Sequence, residues 1–231
     1  MDFNGWEKLS LVDFDDHISM TLFTSGCNMR CPFCHNKSLV LTPGDNPKVS
    51  WDEVKDYLER RKGIIDAVVI TGGEPTLNNE LIDKIQEIKK YGYLVKLDSN
   101  GTNPDLLADL TNLGLVDYIA MDIKNCLDKY GSTCGNPSID LSKVEESIRF
   151  LINGVVDYEF RTTIIDEFHS KDEMEKIGGL LDGAKRYFLQ KYVDGDNCIK
   201  PGFHEVSKEK ALIFKAIMSK YVHEVNLRGY E

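Results

Sequence analysis

The chain has 231 residues, 42% of them apolar, with 28 Lys and Arg against 38 Asp and Glu for a net charge of −10. The length suits one large domain, residues 1–231, with a substantial core, and the negative charge disfavours nucleic acid as a partner. No apolar run reaches the ~18 residues of a membrane helix, and the opening MDFNGWEKLS lacks the apolar core of a signal peptide. The expectation is therefore a cytoplasmic protein.

Strand-like and helix-like segments alternate. Ile18 to Thr24 is a β-branched, apolar strand running into a loop, residues 26–36, that holds Cys27, Cys31 and Cys34. Ser50, with Glu53 three residues on, opens a helix with a capping box. Ala67 to Thr71 is a continuous apolar strand of the parallel-sheet kind and ends in Gly72-Gly73-Glu74-Pro75. A helix over about 80–91 follows, then a strand from Tyr93 to Leu97 ending at Asp98-Ser99-Asn100-Gly101. Asn103-Pro104 opens a helix to about Leu113, and Asp117 to Ile123 is the next strand. Ser142 with Glu145 is expected to cap a helix, followed by a strand at Tyr158 to Ile164. Ser170 with Glu173 caps another helix, and Tyr187 to Tyr192 is a sixth strand. A last helix from Ser207 to about Lys220 and a short strand at Glu224 to Leu227 complete the pattern.

Six βα units predict a parallel sheet with right-handed crossovers, either open and doubly wound or part of a barrel. In such folds ligands sit at the carboxyl ends of the strands. Those ends carry the three cysteines, Gly72-Gly73-Glu74, Asp98 and Ser99, and Asp122 with Lys124; Arg161 and Gln190 lie within the fifth and sixth strands.

Three clustered thiols in a chain without a secreted disulfide pattern point to a metal centre. A structural zinc site takes four ligands, whereas a [4Fe–4S] cube on three thiolates leaves one iron open. A zinc site completed by His35 or a distant residue is the alternative, although the adjacent Cys34 and His35 are poorly placed to face one ion. Cys126, Cys134 and Cys198 are read as free thiols packed like small hydrophobes; a second cluster on Cys126 and Cys134 would lack ligands. His169, His204 and His223 stand in polar surroundings and are read as surface residues.

Cys27-x3-Cys31-x-Phe33-Cys34, with Gly-Gly-Glu-Pro after the second strand, resembles the signature of the radical S-adenosylmethionine (SAM) enzymes. Within that superfamily, Cys34-His35-Asn36, Leu97-Asp98-Ser99-Asn100-Gly101 and Met121-Asp122-Ile123-Lys124 look like the activating enzymes of glycyl radical enzymes. Gly5-x3-Leu9-Ser10-Leu11-Val12-Asp13 and Phe160-Arg161-Thr162-Thr163 are most similar to the long form of the anaerobic ribonucleotide reductase activators, with the pyruvate formate-lyase activators as near relatives.

The resemblance implies an incomplete (β/α)6 partial TIM barrel, open on one side to a partner's glycine loop. It also implies one [4Fe–4S] cluster on Cys27, Cys31 and Cys34, whose open iron takes SAM. Gly72, Gly73 and Glu74 would meet the methionine ammonium, Lys124 and Arg161 the carboxylate or ribose, and Phe33, His35 and Asn36 the adenine. Asp122 would hold a ribose hydroxyl or a cation, and Asp98, Ser99 and Asp122 match residues that help bind a monovalent cation in the pyruvate formate-lyase activator. The implied partners are a glycyl radical enzyme and a flavodoxin- or ferredoxin-type electron donor. Residues 35–71 contain no cysteine, so no extra ferredoxin-like cluster is expected. Gln190 stands where the pyruvate formate-lyase activator has a histidine near adenine, a departure from that pattern. Two other readings are a radical SAM enzyme acting on a small molecule or peptide and a non-catalytic iron–sulfur or metal-binding module.

Overall fold

The computed structural model describes residues 2–154 and 156–230, so Met1, Val155 and Glu231 lie outside it. Eight strands form one sheet in sequential order: β1 (Trp6–Ser10), β2 (Ser19–Thr24), β3 (Ala67–Gly72), β4 (Leu94–Ser99), β5 (Tyr118–Asp122), β6 (Asp157–Ile164), β7 (Arg186–Lys191) and β8 (Glu224–Arg228). β2 to β8 are parallel; β1 adds an antiparallel edge beside β2 with an irregular register. β1 and β8 are the two edges of the sheet, as a partial barrel requires.

The crossovers contain α1 (Lys37–Leu41), α2 (Trp51–Arg60), α3 (Leu81–Lys90), α4 (Pro104–Asn112), α5 (Leu127–Thr133), α6 (Leu141–Ile152), α7 (Lys171–Leu180) and α8 (Lys208–Met218), with a 3₁₀ turn at Pro75–Leu77. The capping boxes expected at Ser50/Glu53 and Ser170/Glu173 form, and Ser207 caps α8 by accepting the Lys210 N–H at 3.2 Å. The cap expected from Ser142 and Glu145 does not form. α6 starts earlier, because Asp140 accepts the Ser142 N–H at 3.1 Å and the Ser142 hydroxyl at 2.6 Å.

Strand alternation divides the sheet between two cores. Val68, Ile70, Val95, Leu97, Ile119 and Met121 join the large core under the helices. Ala67, Val69, Tyr118 and Ala120 face the other way and form a small inner core with Phe14. The inner side chains are mostly small, which leaves the upper interior free for polar groups.

Candidate active site

At the carboxyl ends of the strands, the inward positions become Thr71, Asp98, Asp122, Arg161 and Thr163, and the cysteine loop closes the rim of the same cavity. Every candidate residue named above lines this cavity except Gln190. Gln190 pairs with Thr163 in the β6–β7 register and so shares its face of the sheet, but it is not among the residues that line the cavity.

Several elements fix the cysteine loop from outside. The Arg30 N–H donates to the Cys134 carbonyl at 2.8 Å, and Asn136 donates to the Asn28 carbonyl at 2.9 Å. The segment after β7 lies across the loop: Ile199 N–H reaches the Cys34 carbonyl at 3.0 Å and Lys200 N–H the Pro32 carbonyl at 2.7 Å. His35 Nε2 meets the Val193 carbonyl at 2.6 Å. Phe33 packs on Phe168, which packs on Phe203, at ring separations of 5.9 and 5.0 Å.

The two glycines at the end of β3 serve close backbone approach. A Cβ on Gly73 would lie 2.0 Å from the Gly26 carbonyl oxygen, and one on Gly72 would lie 2.4 Å from that of Thr24. Gly72 also has φ of +111°, a backbone region that favours glycine. Asn36 reinforces the junction by donating to the Gly72 carbonyl at 2.6 Å. Glu74, 1% exposed, is a brace. Its carboxylate accepts from the Thr76 hydroxyl (2.6 Å), the Thr76 N–H (3.2 Å), the Ser99 hydroxyl (2.9 Å) and the Asn100 N–H (2.7 Å), and so joins the ends of β3 and β4. Burial pushes its carboxyl up, against those hydrogen bonds.

Asp98, Asp122, Lys124 and Arg161 form one charge network. Arg161 bridges the two carboxylates, with Nη2 to Asp98 Oδ2 at 3.0 Å and Nε to Asp122 Oδ1 at 2.5 Å, while Lys124 Nζ lies 2.7 Å from Asp122 Oδ2. Burial would raise the Asp122 carboxyl, but Arg161 and Lys124 outweigh it and hold it well below the usual carboxylate range. Burial would likewise lower Lys124, and Asp122 reverses the sign. Asp98 and Asp122, two of the three residues expected at a monovalent cation, thus already carry cations of the chain's own. Asp98 Oδ1 is buried without a hydrogen-bond partner.

His169 is not a surface residue: it is 1% exposed. Its Nδ1 accepts the Ile165 N–H at 3.0 Å, which leaves Nε2 to donate to the Lys124 carbonyl at 3.1 Å. The ring therefore ties the β6 crossover to the residue that supplies the lysine. His204, by contrast, is exposed beside Glu167. Cys126 and Cys134 flank α5 and Cys198 sits after β7, all three buried like small hydrophobes. Met29, Val40, Thr71, Asn100 and Thr163 also line the cavity and were not singled out in the sequence. Thr163 could have been, since it stands two residues beyond Arg161 on the same strand face.

The donor set fits an iron–sulfur cube. Burial raises all three cavity thiols, Cys31 to about 12, with Lys124 opposing in each case. As bare thiolates they would be costly, and bound iron supplies the compensating charge. Among the described residues, no three His, Cys, Asp or Glu side chains converge on a single ion, as a zinc site would need, whereas a cube spreads its thiolates over separate irons.

Comparison with known proteins agrees with this geometry. The family model described as the radical SAM superfamily matches residues 21–176. A Methanocaldococcus jannaschii protein provisionally named as a glycyl-radical enzyme activating enzyme is 31% identical over 199 residues, covering 84% of this chain and 80% of its own. The pyruvate formate-lyase-activating enzyme of Staphylococcus aureus is 26% identical over 201 residues, covering 80% and 78%. Among solved structures, Streptococcus suis SuiB bound to S-adenosylmethionine matches with a TM-score of 0.62 at 12% identity, over 89% of this chain and 49% of that one, a likeness of fold.

Proposed function

Because the chain belongs to the radical SAM superfamily, an enzyme family that uses a [4Fe–4S] cluster and SAM, we propose that it generates a glycyl radical on a partner enzyme, with anaerobic ribonucleotide reductase as the leading partner. When bound, the reduced cluster and SAM would supply radical chemistry directed at a glycine Cα hydrogen. In this reading the chain's own residues hold, orient and shield. Cys27, Cys31 and Cys34 are the cluster ligands, and counting them leaves one iron for SAM.

The unpartnered Asp98 Oδ1 offers an acceptor for the SAM ammonium. Lys124 and Arg161 offer positive charge for its carboxylate, and Asp122 keeps both cations aimed into the cavity. Gly72 and Gly73 bring backbone carbonyls to the same rim, and Glu74 fixes them from behind rather than reaching the ligand. Phe33, His35 and Asn36 form the adenine side. Ser99 belongs to the Glu74 brace. A flavodoxin- or ferredoxin-type protein supplies the electron.

The observation that carries the reading is the likeness, over most of the chain's length, to one relative named for activating a glycyl-radical enzyme and another named for activating pyruvate formate-lyase. Anaerobic mixing of reduced protein, SAM and the candidate reductase tests it: the expected result is a glycyl radical doublet in the electron paramagnetic resonance (EPR) spectrum. Formation of 5′-deoxyadenosine without the doublet rejects that partner, and pyruvate formate-lyase is then tried in the same assay. Failure of the reconstituted protein to bind SAM in a calorimetric titration overturns the enzymatic reading itself.

A further inference from the structure

We propose that Asn100 tunes the iron–sulfur centre by donating a hydrogen bond from its side-chain amide to the Cys27 sulfur. The inference rests on the reading that Cys27 is a cluster ligand.

Asn100 is 5% exposed and lines the cavity. Its amide has one orientation that satisfies its neighbours. Oδ1 accepts from the Thr102 N–H at 3.1 Å and from the Thr102 hydroxyl at 2.7 Å. Nδ2 therefore faces the other way, where one hydrogen goes to Asn28 Oδ1 at 2.8 Å and the second points to Cys27 Sγ at 3.9 Å. Asn28 returns the contact by donating to Thr102 Oγ1 at 2.8 Å, so the three side chains form a closed ring. The Asn100 backbone N–H is held separately by Glu74 at 2.7 Å. The amide is thus fixed at both ends before any cofactor enters.

Cys27 also receives the Met29 N–H at 3.4 Å, which makes it a sulfur with two N–H donors. A donor to a ligating thiolate withdraws charge from it and stabilises the more negative, reduced form of the cluster. Removing the donor therefore lowers the reduction potential and makes the electron harder to deliver.

The test is an EPR-monitored redox titration of the reconstituted protein without SAM, comparing wild type, Asn100→Leu and Thr102→Val. Leucine is close in shape and neutral but has no donor. With iron content equal to wild type, Asn100→Leu is expected to move the midpoint to lower potential. Thr102→Val, which cuts the same ring but leaves the donor to sulfur, is expected to leave the midpoint in place. An unchanged midpoint in Asn100→Leu, or an equal shift in Thr102→Val, overturns the inference. If Asn100→Leu loses its iron, Asn100→Ala, which is smaller but also neutral and without a donor, takes its place under the same criterion. A wild-type protein that retains no cluster, or a Cys27→Ala variant that keeps the full iron content, rejects Cys27 as a ligand instead, a separate outcome.

Discussion

Gly73 and Gly26 meet backbone to backbone: a Cβ at Gly73 would fall 2.0 Å from the Gly26 carbonyl oxygen, and that oxygen also accepts the Glu74 N–H at 2.8 Å. Neither partner is a flexible side chain, so neither yields cheaply. Gly73→Ala is expected to cost at least the ~1–3 kcal/mol of ordinary overpacking and to loosen the cysteine loop. Thermal melting and iron content after reconstitution should both fall. Gly179→Ala is the control, because that exposed α7 position has nothing within 4 Å and alanine there should stabilise by up to ~1 kcal/mol.

Arg161 holds Asp98 and Asp122 at once, in a site where its side chain is only 14% exposed. Arg161→Ala leaves the half-buried Asp98 without its cation and Asp122 with Lys124 alone. The expected destabilisation is on the order of 3–5 kcal/mol, read from urea unfolding. Arg161→Lys should recover part of it but lose the two-carboxylate bridge, since an ammonium lacks the planar fork. A loss under ~1 kcal/mol in the alanine variant would contradict the role assigned to the bridge.

His169 makes stability pH-dependent. Burial lowers its pKa from 6.5 to about 4, with the hydrogen bonds to Lys124 and Ile165 opposing. Between those values the unfolded chain binds a proton that the folded chain refuses. Stability is therefore full above about pH 6.5 and falls as the pH drops towards 4, by roughly 3 kcal/mol in all. Urea melts across this window should show the slope, and His169→Gln should flatten it; an identical slope in the variant would disprove the assignment.

Cys31 is the most buried of the three cavity thiols, at 5% exposed. Cys31→Ala leaves two thiolates, too few to retain a cube, and the reconstituted variant should lack the iron and the visible absorbance of wild type. A full iron complement would refute the ligand set.

Much of the parallel sheet could be read from the chain because its strands are continuous apolar runs buried on both faces. β1 gives no such signal, because WEKLS is short and mostly exposed. α1 spans too few residues to show a helical period, and α5 contains Gly131 and Thr133, poor helix formers held there by tertiary packing. The cavity residues were legible for a different reason: strand ends in a parallel fold converge, so polarity at those positions announces itself. What each one touches was not legible. Glu74 looked like a ligand group, yet its partners Ser99 and Asn100 come from the next strand end. His169 reads as exposed from the mostly polar residues around it, and its burial rests on partners for both ring nitrogens, the Ile165 N–H and the distant Lys124 carbonyl.

The strap formed by Ile199 and Lys200 has a mechanical consequence. Its two N–H bonds to Cys34 and Pro32 couple the loop after the first parallel strand to the loop after the sixth, although the sheet itself keeps two free edges. The molecule resembles a broken hoop buckled at one rim, with a second tie between its ends where Arg228 Nη2 meets Asp15 Oδ2 at 3.2 Å. A partner segment seeking the cavity from the side must unfasten that buckle or come over the top of the rim. Any event that deforms the cysteine loop will be felt at once by the stretch leading to α8.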